Sequence, residues 1–427
     1  MFILDIKTKL NKNQINKNQF MKKLIFITLS TVLCSSMLFA QESQKDMKEI
    51  KYRRSSLHTI LIESSGFPKK DQVINAYYGA PFPDKYDNHN IGAKSFNPAK
   101  YTTDTVESKT PEVIEKYLKD EKIAKNLVAK WFNRQADGSF DWQLIGERGA
   151  FNASFLDTKT ASASSDGKAL LATAGFELIN NTFVVVSKMK FVENEPIARG
   201  IRDGIILASS NAPGLVRMGI EKAAQIAYNK GKEGYSVWTT SYLYKLKWDD
   251  ATQGTFFQDM YAEKGAMTPA MKAKFDANTD LFQMEFVGSQ KATTLVTFSM
   301  KEKRTEDQII NLSVTRNIEK VFAKLQKNYD VFKPKVPLYT GEPITAKIGM
   351  KEGLEGGDKF EVLEAVMDQK TGKIEYKSVG TIKVDGDKIW DNRFNLGDEA
   401  PAEGALDRST FKGGKKFYSG LLIRQLK

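Results

Sequence analysis

The chain has one cysteine, Cys34, and two histidines, His58 and His89, in 427 residues. Cys34 lies inside an N-terminal stretch with the features of an export signal. The mature chain therefore carries no thiol, which excludes disulfides, thiolate nucleophiles and cysteine metal sites together. Two histidines leave little for the usual acid–base and metal-ligand sets. No phosphate-cradling glycine loop is present, since Gly200 and Gly204 lack a following Gly-Lys-Ser/Thr. There is no internal repeat and no low-complexity tract. The apolar run Leu24–Leu33 falls short of the roughly 20 residues that span a bilayer as a helix.

What is present begins with export. From Met21 the chain reads MKKLIFITLSTVLCSSMLFA: two lysines, an apolar core, and a small residue at Ala40 before the polar Gln41. This is the pattern of a secretory signal peptide. Residues 1–20 hold four lysines and only scattered apolar residues, which makes Met21 the natural start. Leu33 stands before Cys34 where a lipidation signal needs a small residue. The expected location is periplasmic or outer-membrane associated. Residues 41–54 read as a disordered lead-in.

The formal charge of +12 shrinks on processing. Residues 1–40 hold six Lys and one Asp, leaving 58 basic against 51 acidic residues, a net +7. The excess is spread along the chain, without the basic clusters and interleaved aromatics of a nucleic-acid surface. Nucleic acid is excluded as a partner, and peripheral attraction to anionic head groups is the milder use of such a charge.

Residues 55–332 read as an α/β domain. SLHTILI, 56–62, is a central strand, apolar on both sides. Residues 69–78 suit a short helix with Val73, Ile74 and Tyr77 on one stripe, and 91–96 suit a strand. Thr110-Pro111-Glu112 reads as a helix start, and Asp120 as the cap of a second helix running through Trp131. Phe140, Trp142 and Leu144 alternate with Asp141 and Gln143, which predicts a strand over 140–145. A loop over 161–167, a helix over 168–177 and a long strand over 179–192 follow. Further strands are expected at 235–248, 281–287 and 293–298. Thr305 with Gln308 forms a capping box that opens a long amphipathic helix. Pro334 and Pro337 mark a stiff linker, 333–343. Residues 344–427 carry short strands with glycine turns, expected at 344–348, 359–364, 374–384 and 417–424, and read as a small β-barrel. The fold class is α+β, a sheet-and-helix domain followed by a barrel.

Residues 199–228 form an amphipathic helix interrupted at Pro213-Gly214. Leu215, Met218 and Ile226 lie on its apolar stripe, and are the candidate interaction residues. Packing on its own sheet is the default expectation for such a helix, with a membrane or a partner as the alternatives.

No catalytic set or cofactor motif emerges. His58 reads as a core or edge residue. Asp84, Asp87 and His89 share one loop and form the candidate metal site, although Asp-x-x-Asp-x-His matches no standard calcium or zinc spacing. Glu147-Arg148 reads either as a functional acid–base pair or as an ion pair tying strand to helix. Asp104-Thr105-Val106 resembles the O-glycosylation acceptor of secreted Bacteroidota proteins, making Thr105 a candidate modification site.

Residues 55–330 resemble the α/β domain shared by the curli secretion CsgG family and the N-terminal domain of TolB. The resemblance rests on the order of LHTILI, IAKNLVAKWF, FDWQLIGER, LLATAGFE and FVVVSKMKF. Residues 345–426 are similar to the small β domain of TolB-like and flagellar assembly protein T relatives, through IGMKEGLEGGDKFEVLEAV, KTGKIEYKSVGTIKV and YSGLLIRQ. The chain also resembles secreted Bacteroidota proteins. These envelope families imply assembly or scaffolding, with envelope proteins or further copies of the chain as partners, and supply no catalytic residues. The chain departs from the CsgG pattern in lacking a lipid-attachment signal and two membrane hairpins. The reading is a non-catalytic scaffold of the cell envelope. The alternatives are a carboxylate-dependent hydrolase of polysaccharide or peptide, and a subunit of an outer-membrane ring or pore.

Overall fold

The computed structural model describes residues 52–63, 67–103, 109–151, 175, 177–296, 304–368, 374–395, 404–414 and 416–426. Residues 1–51, with the expected export signal, Thr105, the expected 161–167 loop and most of the helix expected over 168–177 lie outside the described residues.

The first unit is a mixed sheet between two helical layers. Its strands are β1 (Ser56–Ile62), β2 (Asp87–Asn88), β3 (Ser95–Phe96), β4 (Thr182–Glu193), β5 (Tyr235–Leu246) and β6 (Met284–Val296). β1 runs parallel to β2 and β3 on one side and to β4 on the other. β5 and β6 then add antiparallel. With neighbours on both sides and helices on both faces, β1 buries Leu57, Ile60, Leu61 and Ile62, as its apolar sequence requires.

The helices are α1 (Lys70–Gly79), α2 (Thr110–Asp120), α3 (Ile123–Trp131), α4 (Gln143–Phe151), α5 (Asn194–Ala208), α6 (Gly214–Gly231), α7 (Asp250–Asp259), α8 (Pro269–Ala277) and α9 (Glu306–Asn328). On one face Ile60, Val184, Val186 and Tyr244 meet Ile114 and Tyr117 of α2 and Leu127 of α3. On the other, Phe183, Val185 and Leu243 meet Val321, Phe322 and Leu325 of α9. α9 opens on the expected capping box, Thr305 with Gln308.

Several local expectations are corrected. Residues 140–145 form no strand: Phe140 and Asp141 lie in a loop and α4 starts at Gln143. Both sides of β1 are already taken by β2, β3 and β4, so the sheet offers this segment no place there. The Asp141 side chain accepts from the Gln143 N–H at 3.0 Å and turns the chain into the helix. The spaced aromatics enter a cage instead, where Phe140 and Trp142 pack with Phe132, Trp248, Phe256, Tyr261 and Phe275. Thr110 is the first residue of α2 rather than its cap, and Lys109 supplies no side-chain cap. Asp120 ends α2, and α3 follows Lys122 in a left-handed conformation. The two strands expected at 281–287 and 293–298 are one strand, β6, with a bulge. Of 91–96, only Ser95–Phe96 is extended.

The second unit is a closed antiparallel barrel. Strands β7 (Val336–Gly341), β8 (Ile344–Ala346), β9 (Lys359–Met367), β10 (Ile374–Val384), β11 (Ser409–Lys412) and β12 (Leu422–Gln425) run in the order β10-β11-β8-β7-β12-β9, and β9 pairs β10 to close it. Leu338, Ala346, Phe360, Val362, Ile382, Phe411 and Ile423 fill the interior. Closure removes edges that would template other chains. The barrel takes up most of the expected linker, since β7 starts at Val336 and Pro337 pairs with Leu422.

Two charged clusters join the units. Glu177 accepts from the Tyr376 hydroxyl at 2.6 Å and lies 3.2 Å from Lys335 Nζ and 3.5 Å from Arg54 Nε. Asp84 pairs with Lys85 at 3.2 Å and with Lys351 of the barrel unit at 2.9 Å, while Lys85 also donates to the Lys347 carbonyl at 2.9 Å. Burial alone would raise the Asp84 carboxyl, but Lys85 and Lys351 outweigh it and hold it at about 2.

Candidate functional site

β4 and β5 are antiparallel neighbours paired up to Glu193 and Tyr235, where a tight turn would normally join them. Residues 194–234 take its place and fold as a helical hairpin, α5 and α6. Its root is fixed by Asn194, which is buried. The Asn194 N–H donates to the Gly234 carbonyl at 3.0 Å, its Nδ2 donates to the Glu233 carbonyl at 3.1 Å, and its Oδ1 accepts from the Ser236 hydroxyl at 2.7 Å. One step up, Glu195 receives a two-pronged contact from Arg199 at 2.9 and 2.5 Å and the Tyr228 hydroxyl at 2.8 Å. Arg199 and Tyr228 hold that carboxyl below the usual carboxylate range. Arg202 lies 4.5 Å over the Tyr228 ring and joins α5 to α6.

Above this root the hairpin is exposed. The only buried side chains between 194 and 233 are Asn194, Ser209 and Ala224. Leu207 is 75% exposed, Leu215 88%, Met218 66% and Ile226 48%, and Ile201, Ile205 and Val216 are exposed as well. The expectation of packing on the chain's own sheet is therefore corrected: each helix packs chiefly on the other. The apolar stripe that normally pulls a helix onto a core here faces water.

The tip is also free of charge. From Gly204 to Val216 the sequence GIILASSNAPGLV contains no ionisable side chain. The carboxylates of the two helices are each met by an arginine: Glu195 by Arg199, Asp203 by Arg202 at 2.7 Å, and Glu221 by Arg217 at 2.7 Å. Lys222 and Lys230 are their remaining charged side chains. Sequence reading found Leu215, Met218 and Ile226 but missed Leu207, Ile201, Ile205 and Val216. The uncharged run Gly204–Val216 was the signal that could have found them.

The residues of the candidate metal loop are not brought together. Asp84 is held at the junction by Lys85 and Lys351. Asp87 faces Arg53 at 3.5 Å. His89 is fully buried: its Nε2 donates to the Leu127 carbonyl at 3.0 Å, its Nδ1 accepts from Arg148 at 2.8 Å, and its ring stacks on Trp131 at 4.4 Å. Burial and the adjacent guanidinium hold the His89 imidazole neutral, well below its ordinary pKa. Among the described residues no group of three His, Cys, Asp or Glu side chains could hold a metal ion. Arg148 reaches His89 and the Asn88 carbonyl, at 3.1 Å, while Glu147 accepts from Gln143 on its own helix. Thr105 lies outside the described residues.

These features define a class by architecture: an α+β protein with a mixed sheet, a closed six-stranded barrel, and an exposed helical hairpin inserted between two sheet strands. No protein-family model matches the chain, and no curated protein matches it either.

Proposed function

We propose that this protein is a non-catalytic assembly scaffold of the cell envelope, exported by its N-terminal signal, with the α5–α6 hairpin as the arm that engages its surroundings. The observation that carries the reading is the exposure of the hairpin's apolar side chains, Leu207, Leu215 and Met218 above all. Monomeric proteins rarely leave such a contiguous apolar surface in water without a use for it. Two further supports come from pattern: the domain order resembles that of CsgG/TolB-type α/β domains followed by the small β domain of flagellar assembly protein T relatives, and those families work in envelope assembly.

The test is crosslinking with mass spectrometry on the protein purified from its own envelope, with light scattering for its mass. Crosslinks from residues 194–234 to envelope components, or a defined assembly, are expected. A monomer whose hairpin captures nothing, together with hydrolysis of an envelope polysaccharide or peptide, would replace this reading with the hydrolase one. A large ring in detergent would replace it with the pore reading.

A further inference from the structure

We infer that the tip of the α5–α6 hairpin seats in the surface of an anionic lipid bilayer and holds the protein there as a peripheral component. The inference rests on the scaffold reading above and names what its arm meets.

The pattern of charge along the hairpin selects a bilayer. The helices are about 22 and 27 Å long at 1.5 Å per residue, which sets their tip well away from the root at Asn194. The outermost segment, Gly204–Val216, has no charge and exposes Ile205, Leu207, Leu215 and Val216. That composition suits the boundary between head groups and acyl chains, where any ion would be costly. Behind it come the arginine–carboxylate pairs Arg202–Asp203 and Arg217–Glu221, which cancel locally. The charge left over is positive: Lys222 carries it near the tip, and Lys230 lies about 22 Å from Leu215 along the helix, at the root end of α6. Lys222 is seven residues from Leu215, about 10 Å along the helix, where its flexible stem reaches phosphate while Leu215 enters the apolar layer. An apolar end followed by net cation matches the layering of an anionic membrane surface.

Depth follows from length and composition. No helix of the described residues is long and apolar enough to cross a membrane, so the tip enters about 5–10 Å, as interfacial helices do. Gly200, Gly204 and Gly219 have nothing of their own chain packed against them, and a helix weakened by such glycines can adjust to a deformable surface.

The experiment is flotation of the natively purified protein with vesicles of phosphatidylglycerol and phosphatidylcholine in equal parts, against pure phosphatidylcholine. The wild type should float with the anionic vesicles and release at high salt. Replacing the exposed tip residues together, Leu207→Ser, Leu215→Ser and Val216→Ser, should lower the bound fraction at least about tenfold, with an unchanged melting curve because none is buried. Lys222→Glu with Lys230→Glu should weaken binding to anionic vesicles and leave the weak binding to neutral ones as it was. Val331→Ser, an exposed apolar residue elsewhere, is the control and should float as wild type. Failure of the wild type to float, or equal flotation of the tip variant, overturns the inference. If the tip variant instead loses self-association or protein crosslinks in the absence of lipid, the hairpin's partner is a protein, the bilayer is rejected and the scaffold reading stands. Loss of both flotation and crosslinks from the wild type rejects the two readings together.

Discussion

Lys324 Nζ, on the last turns of α9, lies 2.7 Å from the carbonyl oxygen of Lys291 on β6. It is one of three such contacts. Lys320 Nζ donates to the Thr293 carbonyl at 2.8 Å and the Tyr329 hydroxyl to the Ser289 carbonyl at 2.9 Å. β6 is the last strand of the sheet, so these donors to its carbonyls cap the outer edge. An uncapped strand of this length is a template for another chain. Changing Lys320 and Lys324 together to Met should cost about 1 kcal/mol or less in stability, since both are exposed. The same change should increase concentration-dependent association measured by light scattering. A double variant as monomeric as the wild type would show that the caps do not guard the edge.

Glu177 gathers Arg54, Lys335 and Tyr376 at the junction of sheet domain and barrel, and its side chain keeps only 18% of its surface exposed. Glu177→Gln would remove the carboxylate charge that Arg54 and Lys335 approach at 3.5 and 3.2 Å. The expected loss is about 2–3 kcal/mol, at the low end for breaking a buried pair because Glu177 is partly in water. Calorimetry should then resolve the barrel and the sheet domain as separate transitions where the wild type shows greater overlap. An unchanged thermogram would mean that the Asp84–Lys351 cluster joins the units by itself.

The buried strands were legible in their patterns: SLHTILI is apolar on both faces, TFVVVSKMKF begins so and ends amphipathic, and YSVWTTSYLYKL alternates. The α9 capping box was equally local. What failed depended on distant partners. FDWQLI alternates like a strand, yet whether it pairs is decided by how many strands β1 already has. β6 was read as two strands because Gly288 and its bulge interrupt the pattern. The hairpin's stripe was visible in Leu215, Met218 and Ile226, but periodicity cannot say whether a stripe meets a core or solvent. The candidate metal loop shows the same dependence on distant partners. Of its three candidate residues, Asp84 is engaged by Lys351 and His89 by Arg148, partners far along the chain.

Acid should destabilise the fold through its two buried histidines. Burial, partly offset by the Ala93 backbone and reinforced by Lys130, lowers His58 from 6.5 to about 4, and neither ring nitrogen makes a hydrogen bond of good geometry. Burial, Arg148, Lys130 and His58 lower His89 in the same direction. Both rings are neutral in the fold and take up a proton more readily when unfolded. The stability that depends on neutral rings is present above about pH 6.5; the His58 part is lost as pH falls from there through about 4, and the His89 part is lost in the same direction. The His58 share of that loss is about 3 kcal/mol at 1.36 kcal/mol per pKa unit. Denaturant midpoints measured between pH 7 and pH 4 should fall for the wild type and fall less for His58→Leu. Parallel curves for the two proteins would exclude His58 as a source of the acid sensitivity.

Gly288 sits at the β6 bulge with φ +157°, directly under the Tyr329 side chain. A Cβ at this position would run into the Tyr329 hydroxyl oxygen and the adjoining ring carbons, closer than any non-bonded contact. Gly288→Ala must therefore push Tyr329 off the sheet, and with it the bond that caps the Ser289 carbonyl. The expected cost is about 1–3 kcal/mol, the range for forcing an extra methyl into a packed site. Tyr329→Ala makes the test specific. It opens the space above Gly288, so adding Gly288→Ala to it should cost much less than the same change in the wild type. Equal costs in the two backgrounds would place the strain in the backbone of the bulge and not in the contact with Tyr329.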